Sequence, residues 1–457
     1  MKINPEIFRA YDIRGRYPGE INESAAAAIA RGFAAFVRPK SVVIARDVRL
    51  SGPKLAAATR EALRRGGVDI IDIGVVPADV FYFGVVKFKA DGGVYLSASH
   101  NPREWNGMNM CRKDAKPISG GTGLKKIQKL ALANASPKSK KRGRLIRKNV
   151  IDPYLDFVWS LAPIKKPRPL TIVLNANFGV SARLFRRILQ RHRLPFRVSG
   201  INDRADGRFP KGPPDPLLLK NQRETERAVG RAKADLGFTW DADGDRCFFT
   251  DEKGRFVPAY FITAILAGEM LQKRPRSTII TDPRLTWATR DTVRRWKGKL
   301  VVAKPGMTLI AERMAKERAA FAGEMSGHYY FRDTFNRDNG FLPALMMMNI
   351  MLRENKKLSE IAAPFRQKYF VSGEINFPLT ARERAVRLLK KVETKYRGGK
   401  ISHTDGLSIE YPRWRFNLRP SNTEPLLRLN IEAKHPDILA RETKKLSKLI
   451  LTTNKFK

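Results

Sequence analysis

A serine and a group of carboxylates follow apolar segments of the chain, where chemically active side chains are often placed. Ser99 lies in Ser97-Ala98-Ser99-His100-Asn101-Pro102, directly after the apolar run 92–96. A serine at the end of a strand can act as a nucleophile or carry a phosphoryl group. A Ser–His hydrolase is not favoured, because no Gly-x-Ser-x-Gly elbow surrounds Ser99 and neighbouring side chains of a strand diverge. A polar turn is the alternative.

Three aspartates alternate in Asp241-Ala242-Asp243-Gly244-Asp245-Arg246. Carboxylates at this spacing can converge on one hard cation if the backbone turns, and the glycine allows the turn. The set suits Mg²⁺, which binds one or two carboxylates together with phosphate oxygens. An EF-hand is not favoured, because Arg246 stands where its loop requires glycine. A solvated acidic turn is the remaining alternative.

Two further loops carry polar residues suited to a phosphorylated sugar. The segment Gly323-Glu324-Met325-Ser326-Gly327-His328 offers Glu324 and Ser326 as partners for sugar hydroxyls. The segment Arg419-Pro420-Ser421-Asn422-Thr423-Glu424-Pro425 combines an arginine, hydroxyls and an amide, which can cradle a phosphate. Each loop alone is also compatible with an ordinary tight turn or a helix cap.

The elements that position these loops alternate between short apolar strands and amphipathic helices, the pattern of an α/β fold. Ligands of open α/β sheets bind at the carboxyl ends of strands, so the loops lie where a site is expected. The C-terminal segment has closely spaced strands and then a helix, which predicts an α+β unit. Predicted strands are 41–47, 68–74, 92–96, 171–175, 196–199, 236–240, 278–282, 300–304, 321–324, 407–411, 413–418 and 426–433.

The chain has 457 residues, too many for one hydrophobic core, so several domains are expected. Breaks are predicted in the basic stretch 134–148, near Asp251-Glu252-Lys253-Gly254 and near Ala363-Pro364. The predicted domains are 1–148 with the serine loop, 149–251 with the aspartate loop, 252–364 with the Glu324 loop and 365–457 with the Arg419 loop.

Charge and hydropathy limit the class of protein. There are 88 basic and 44 acidic residues, a formal net charge of +44, which attracts anionic substrates. Basic residues are spread along the chain without a nucleic-acid-binding signature, so nucleic-acid binding is expected to be non-specific at most. The longest apolar-rich run, 341–352, is too short for a membrane span, and the N-terminal residues do not resemble a signal peptide. With two cysteines, Cys111 and Cys247, these features predict a cytoplasmic protein without membrane contact.

Taken together and in this order, the four loops resemble those of the α-D-phosphohexomutase family, most of all its bacterial phosphomannomutase/phosphoglucomutase members. Two further motifs carry the resemblance, Phe8-Arg9-Ala10-Tyr11-Asp12-Ile13-Arg14-Gly15 and Ala45-Arg46-Asp47-Val48-Arg49-Leu50-Ser51. The resemblance covers essentially the whole chain. It implies three similar α/β domains with mixed sheets and a smaller C-terminal α+β domain around a central cleft.

The resemblance also implies a role for each matching residue. Ser99 matches the serine that is phosphorylated in the active enzyme, and its phosphate completes a Mg²⁺ site. The implied metal ligands beside it are Asp241, Asp243 and Asp245. The implied catalytic residues are Ser99, Arg14, Arg246 and His328. The implied substrate-binding residues are Tyr11, Arg14, Lys304, Glu324, Ser326, Arg419, Ser421, Asn422 and Thr423.

The implied reaction moves a phosphate between O1 and O6 of a hexose, mannose and/or glucose. Phospho-Ser99 donates its phosphate, and the resulting hexose 1,6-bisphosphate reorients and returns the other phosphate to the serine. The protein is then a phosphoprotein and an intramolecular phosphotransferase that binds hexose phosphates, expected as a monomer or weak dimer. A phosphoglucosamine mutase and a non-catalytic protein that binds phosphosugars or polyanions are the alternatives.

Three positions depart from the family pattern, and one of them is Arg284, which stands where some members have a lysine. Asn109 stands where the family has a lysine proposed as general acid/base, and an amide does not exchange a proton near neutral pH. Lys113 and Lys116 follow in the sequence but do not match that position. Met307 replaces a histidine of the sugar site. His328 is therefore the best remaining titratable group near the sugar.

Overall fold

The computed structural model describes residues 3–9, 12–135, 139–379, 383–421 and 425–455. Three of the predicted substrate-binding residues, Tyr11, Asn422 and Thr423, lie outside the described residues. Internal contacts divide the chain into two compact units. The first unit comprises Met1–Val257 and Ser326–Ser359, and the second comprises Pro258–Met325 and Glu360–Lys457.

Strands and helices alternate through most of the described chain. The strands are β1 Ile13–Arg16, β2 Ser41–Arg46, β3 Asp69–Val75, β4 Gly92–Leu96, β5 Trp105–Arg112, β6 Leu145–Arg147, β7 Leu170–Asn175, β8 Phe196–Ile201, β9 Leu236–Thr239, β10 Phe248–Asp251, β11 Phe256–Val257, β12 Thr278–Thr281, β13 Lys299–Val302, β14 Phe321–Gly323, β15 Tyr329–Phe331, β16 Arg337–Asp338, β17 Phe370–Pro378, β18 Lys400–Ser402, β19 Leu407–Glu410, β20 Trp414–Pro420 and β21 Leu426–Ala433. The helices are α1 Glu23–Val37, α2 Gly52–Arg65, α3 Ala78–Lys87, α4 Lys125–Leu132, α5 Ile151–Leu161, α6 Ser181–Arg191, α7 Leu219–Ala232, α8 Ala259–Lys273, α9 Trp287–Arg295, α10 Met307–Glu317, α11 Leu342–Glu354, α12 Leu358–Lys368, α13 Glu383–Lys395 and α14 Pro436–Lys455. Among these helices of the described residues, none combines the length and the apolar character that crossing a bilayer requires.

The serine loop follows β4 in the first sheet of the first unit. The strand order is β1-β5-β4-β2-β3-β6, with β4, β2, β3 and β6 parallel and β5 and β1 antiparallel to their neighbours. Strand β4 is buried along its whole length. Ile29 and Phe33 of α1 share a core with Val42 and Ile44 of β2. The loop after β4 therefore extends from the rigid centre of the sheet.

The aspartate loop follows β9 in the second sheet of the first unit. The order of this sheet is β11-β10-β9-β7-β8, with β9, β7 and β8 parallel. Strand β10 returns antiparallel to β9, and Phe248 lies opposite Thr239. This pairing closes the loop at its base. The same unit contains the antiparallel pair β15 and β16.

The second unit contains two groups of strands. Strands β13, β12 and β14 are parallel, and helices α8 and α9 pack beside them. The C-terminal sheet has the order β17-β21-β20-β19-β18 and is antiparallel throughout, with α13 and α14 packed against it. The predicted α/β class with mixed sheets, and the α+β class of the C-terminal segment, are confirmed.

Secondary structure is present at each of the three predicted domain breaks. Asp251 and Gly254 form the tight turn that joins β10 to β11. Pro364 lies inside α12. The basic stretch 134–148 includes strand β6, which pairs with β3. The four domain ranges themselves stay predictions.

Candidate active site

Ser99 has a left-handed backbone conformation, with φ +49°. This conformation costs a residue other than glycine about 1–2 kcal/mol. It turns Ser99 Oγ to 3.2 Å from Nδ1 of His100, and the hydroxyl donates a 2.7 Å hydrogen bond to Asp241 Oδ2. The expectation that the two neighbouring side chains diverge is wrong, because it assumed an extended backbone.

The three aspartates converge in a buried cluster. One carboxylate oxygen each of Asp241, Asp243 and Asp245 lies within 4.8 Å of the other two, and the side chains are at most 5% exposed. Gly244 makes the turn at φ +73°, and a Cβ there would meet Ser181 Oγ at 2.0 Å. Oδ1 of Asp243 is buried and accepts no hydrogen bond from the described residues. A group of buried carboxylates with such an oxygen fits a divalent cation.

The electrostatics of the cluster agree with that fit. Burial and repulsion from Asp245 raise the pKa of Asp243 well above its ordinary range, and the same two causes raise the pKa of Asp241 to about 6. For Asp245, burial is outweighed by the charge and hydrogen bond of His328, so its pKa is lowered. Without a cation the cluster therefore holds carboxylates that resist ionising together.

Arg246 connects the aspartate loop to the serine loop. Its Nη2 donates a 2.8 Å hydrogen bond to Nδ1 of His100, so that nitrogen must be an acceptor. Burial, followed by the charge of Arg246, lowers the pKa of His100 well below its usual value. His100 is therefore neutral, with its proton on Nε2. Asp215 Oδ1, at 3.9 Å from Arg246 Nη1, adds an ion pair on the other side.

His328 is anchored beside the same cluster. Its backbone forms an antiparallel bridge with Arg246, and Cys247 N–H donates to the Gly327 carbonyl at 3.0 Å. His328 Nε2 lies 3.5 Å from Asp245 Oδ1, and its Nδ1 lies 3.0 Å from Ser326 Oγ. The first unit therefore brings together the predicted residues Ser99, the three aspartates, Arg246, Ser326 and His328.

Arg14 reaches the serine loop from strand β1. Its Nε pairs with Asp12 Oδ2 at 2.6 Å, and its Nη1 donates to Asn101 Oδ1 at 2.6 Å. Arg14 is partly exposed, whereas Asp12 is buried. The carboxylate fixes the guanidinium beside the serine loop.

The position of the missing lysine is occupied by Asn109 on strand β5. Asn109 lies opposite Tyr95 of β4, and its buried Oδ1 accepts no hydrogen bond from the described residues. Lys113 and Lys116 are exposed, and Lys116 pairs with Asp114 at 3.7 Å. Neither lysine takes the place of the one that is absent.

In the second unit, three parallel strands end at the loops that carry Glu324, Arg284 and Lys304. Glu324 is 2% exposed, and its Oε1 accepts a 2.9 Å hydrogen bond from Gly306 N–H at the start of α10. Asp282 holds Arg284 through both carboxylate oxygens and accepts a 2.8 Å hydrogen bond from Met325 N–H. Glu324 thus belongs to the second unit, whereas Ser326 belongs to the first.

Arg419 lies on β20 among other charged residues of the second unit. Its Nη2 is 3.4 Å from Glu374 Oε2, and its Nε is 3.7 Å from Asp405 Oδ2. Burial raises the pKa of Asp405, although the positive charges of Arg419, Lys304 and Arg284 act to lower it. The charges of three cations therefore act on one buried carboxylate, and Arg419 forms the ion pair with it. Ser421, which follows β20, is 8% exposed, and its N–H donates to the Leu426 carbonyl.

Sequence reasoning did not assign roles to several residues that contact the predicted ones. His100 and Asn101 lie within the serine motif, so these two were the easiest to find from the sequence. Asp47 accepts from Ser97 Oγ at 2.8 Å, and the same hydroxyl lies 2.7 Å from Asp243 Oδ2. The Ala45–Ser51 motif was the signal for Asp47, but its contacts depend on the fold.

Models of one protein family match the chain in four segments. Phosphoglucomutase/phosphomannomutase alpha/beta/alpha domain I matches residues 5–138, domain II matches 152–254, and domain III matches 258–369. The C-terminal domain of the same family matches 374–448.

Individual relatives cover nearly the whole chain. A phosphomannomutase of Escherichia coli K12 is 40% identical over 434 residues, which cover 93% of this chain and 94% of its own. A Xanthomonas campestris pv. campestris B100 protein named phosphohexose mutases is 39% identical over 446 residues, covering 97% and 98% of the two chains. The X-ray structure of a phosphoglucomutase/phosphomannomutase family protein from Burkholderia thailandensis matches with a TM-score of 0.87 and 29% identity, over 99% and 98% of the chains.

Proposed function

This chain belongs to the phosphoglucomutase/phosphomannomutase family and is a hexose phosphate mutase, and we propose that it acts through phosphoserine at Ser99. The proposed reaction interconverts the 1-phosphate and 6-phosphate of mannose and glucose. The observation that carries the proposal is the 2.7 Å hydrogen bond from Ser99 Oγ to Asp241 within the carboxylate cluster. A serine that only formed a turn would have no need of such a neighbour.

In the proposed transfer, the bond between phosphorus and Ser99 Oγ breaks and a bond to the sugar oxygen forms. The proton of the attacking sugar hydroxyl passes to the freed Ser99 Oγ, which becomes a hydroxyl again. In the return step, Ser99 Oγ accepts the second phosphate of the intermediate, and its proton passes to the sugar oxygen that loses that phosphate. Arg246 and Arg14 neutralise charge on the transferring group, because both guanidinium groups are fixed at the serine loop. His328 lies beside Asp245, so we assign it, like the two arginines, to the transferring phosphate.

The metal is proposed to be Mg²⁺. Asp241, Asp243 and Asp245 would hold it, and when bound it would neutralise the charge of the phosphate on Ser99. Oxygen ligands alone suit Mg²⁺ better than softer metals.

The second unit is proposed to bind the rest of the substrate. Glu324 is suited to accept hydrogen bonds from sugar hydroxyls, because its carboxylate is buried and fixed by Gly306. Arg419, Arg284 and Lys304 are suited to the phosphate that is not being transferred. Ser421 joins this set, and Ser326 of the first unit is assigned to a sugar hydroxyl. Tyr11, Asn422 and Thr423, outside the described residues, keep their predicted binding roles as part of the proposal.

Three properties of the protein in the cell and in solution stay predictions. These are the cytoplasmic location, the monomeric or weakly dimeric state and a nucleic-acid affinity that is non-specific at most. Salt titration is suited to the last of these, because contacts driven by charge weaken steeply as salt rises.

The test is to treat the protein with hexose 1,6-bisphosphate and locate phosphate by intact mass and peptide mapping. We expect one phosphate on Ser99 and turnover of mannose and glucose phosphates. Ser99→Ala should take no phosphate and show background turnover with an unchanged melting temperature. Ser160→Ala is the matched control, because its exposed hydroxyl only caps the Phe157 carbonyl. Turnover by Ser99→Ala near the wild-type level contradicts the proposal.

A further inference from the structure

Arg49 is fully buried and uses its whole guanidinium group on the serine loop and its partner Asp47. Nη2 donates to the carbonyls of Ser99 and Asn101 at 2.6 and 2.7 Å. Nη1 donates to the carbonyls of Pro102 and Trp105 at 2.6 and 3.0 Å. Nε donates to Asp47 Oδ2 at 3.0 Å. All five N–H donors of the side chain are therefore directed to named acceptors.

Asp47 extends this contact from the serine loop to the aspartate loop. Its Oδ1 accepts from the Arg49 N–H at 2.9 Å, and its Oδ2 also accepts from Ser97 Oγ. Ser97 Oγ in turn accepts the Ser99 N–H at 2.8 Å and lies beside Asp243 Oδ2. The backbone N–H and carbonyl of Ser99 are thus both held by one network that reaches a predicted metal ligand.

The guanidinium face of Arg49 is covered as well. The ring of Phe209 lies 5.0 Å from the Arg49 guanidinium carbon, and Phe209 is 3% exposed. The backbone of Arg49 also bridges to that of Gly207. A cation held between hydrogen bonds and an aromatic face has little freedom to move.

We propose that Arg49 is a positioning residue that keeps Ser99 in its left-handed conformation, with Oγ aimed at the aspartate cluster. A strained backbone of this kind persists only where the surroundings determine it, and Arg49 holds the serine loop by four of its carbonyls. The role rests on the proposed function of Ser99. It predicts that Arg49 controls the rate of phosphoryl transfer and has little effect on substrate affinity.

Arg49→Lys tests the proposal, because a lysine keeps the charge but cannot direct donors to four carbonyls in one plane. We expect kcat to fall about 100-fold, the usual cost of a reacting group displaced by about 1 Å, with KM nearly unchanged. The single-turnover rate at which hexose 1,6-bisphosphate phosphorylates Ser99 should fall equally. Arg60→Lys is the control, since Arg60 pairs with Asp72 at 2.7 Å on the same domain; it should retain wild-type kcat.

A second variant covers the case in which Arg49→Lys does not fold. Phe209→Leu keeps an apolar side chain below the guanidinium but removes the aromatic face, and we expect a loss of about 3- to 10-fold in kcat. Leu63→Ala, a core change in α2, shows what lost stability alone does to kcat. An unchanged kcat in the folded Arg49→Lys protein, or in Phe209→Leu if only that variant folds, overturns the positioning role. A raised KM with wild-type kcat does the same. Wild-type protein without phosphoserine or turnover instead contradicts the proposed function itself.

Discussion

The two units differ in the charge that they place around their predicted residues. In the first unit, Ser99 donates to one carboxylate of a buried group of three, and the arginines Arg14 and Arg246 lie at the serine loop. In the second unit, cations gather near one buried carboxylate, Asp405. Carboxylates beside a serine suit a cation and a transferring phosphate, whereas gathered cations suit a phosphate that stays in place.

The comparison divides catalysis from binding. Changes to the residues around Ser99 in the first unit should lower kcat, because they act on the group that reacts. Changes in the second unit should raise KM, because they act on parts of the substrate that do not react. The variants below are chosen to break or sharpen that division.

The largest effect is expected for Asp243→Asn. We expect kcat to fall about 100- to 1,000-fold, because one ligand charge is lost from the cation site. The melting temperature of the metal-free protein should not fall, since the change also removes repulsion within the cluster. Steady-state kinetics in Mg²⁺ and after chelation measure the effect. Asp69→Asn, which breaks only the exposed ion pair with Arg144, is the control; an active Asp243→Asn enzyme would remove the metal from the mechanism.

A smaller effect, on KM, is expected for Arg419→Met in the second unit. Charge-assisted hydrogen bonds contribute about 1.5–3 kcal/mol, so KM should rise about 10- to 100-fold while kcat changes less. Initial-rate kinetics with mannose 1-phosphate give both constants. Arg441→Met on the exposed face of α14 controls for loss of positive charge from the same unit. If Arg419→Met lowers kcat and leaves KM alone, the division between the units is wrong.

Asn109→Lys is expected to raise turnover, by about tenfold. The substitution restores a titratable group on β5, where general acid–base catalysis can contribute at least that much. Asn109→Met is the matched control, because methionine is similar in length to lysine but carries no charge. The pH dependence of kcat should gain a basic limb in the lysine variant only. Equal turnover in wild type and both variants would show that another group already handles the proton.

The smallest effect concerns stability. Burial raises the pKa of Asp79 in α3 from 3.8 to about 7, although the hydrogen bond from Tyr154 acts to lower it. Between about pH 4 and 7 the folded protein therefore holds a proton that the unfolded chain has lost, and stability falls as pH rises through this window. Asp79→Asn should remove about 2–4 kcal/mol of that decline. Thermal unfolding of both proteins at pH 5 and pH 8 measures it, and parallel pH profiles would contradict the assignment.

Much of the fold was predictable because its central strands are short apolar runs. The predicted strand 92–96 coincides with β4, and 41–47 differs from β2 by one residue. Strand β5 was missed, since Asn106, Gly107 and Asn109 interrupt its apolar pattern and its antiparallel partner, β4, supplies the hydrogen bonds. Pro364 lies inside α12, although proline usually ends or kinks a helix.

The site was predictable as a set of motifs but not as a geometry. The spacing of Asp241, Asp243 and Asp245 was sufficient to predict a cation site. The contact of His328 with Asp245 joins loops far apart in sequence, so no local pattern could reveal it. The contact of Ser99 with His100 depends on the φ angle of Ser99. In our proposal that angle depends on Arg49, which lies in a motif of the family resemblance but was given no role there.

The first unit is assembled from two separated stretches of the chain, and this affects how it is made. The indole N–H of Trp240 donates to the carbonyl of Gly340, which lies 100 positions later in the chain. A ribosome adds ~5–20 residues per second, so the acceptor is synthesised roughly 5–20 seconds after the donor. During that interval Trp240, which is fully buried in the folded unit, lacks this partner, so the first unit cannot complete its core until the second stretch has been made.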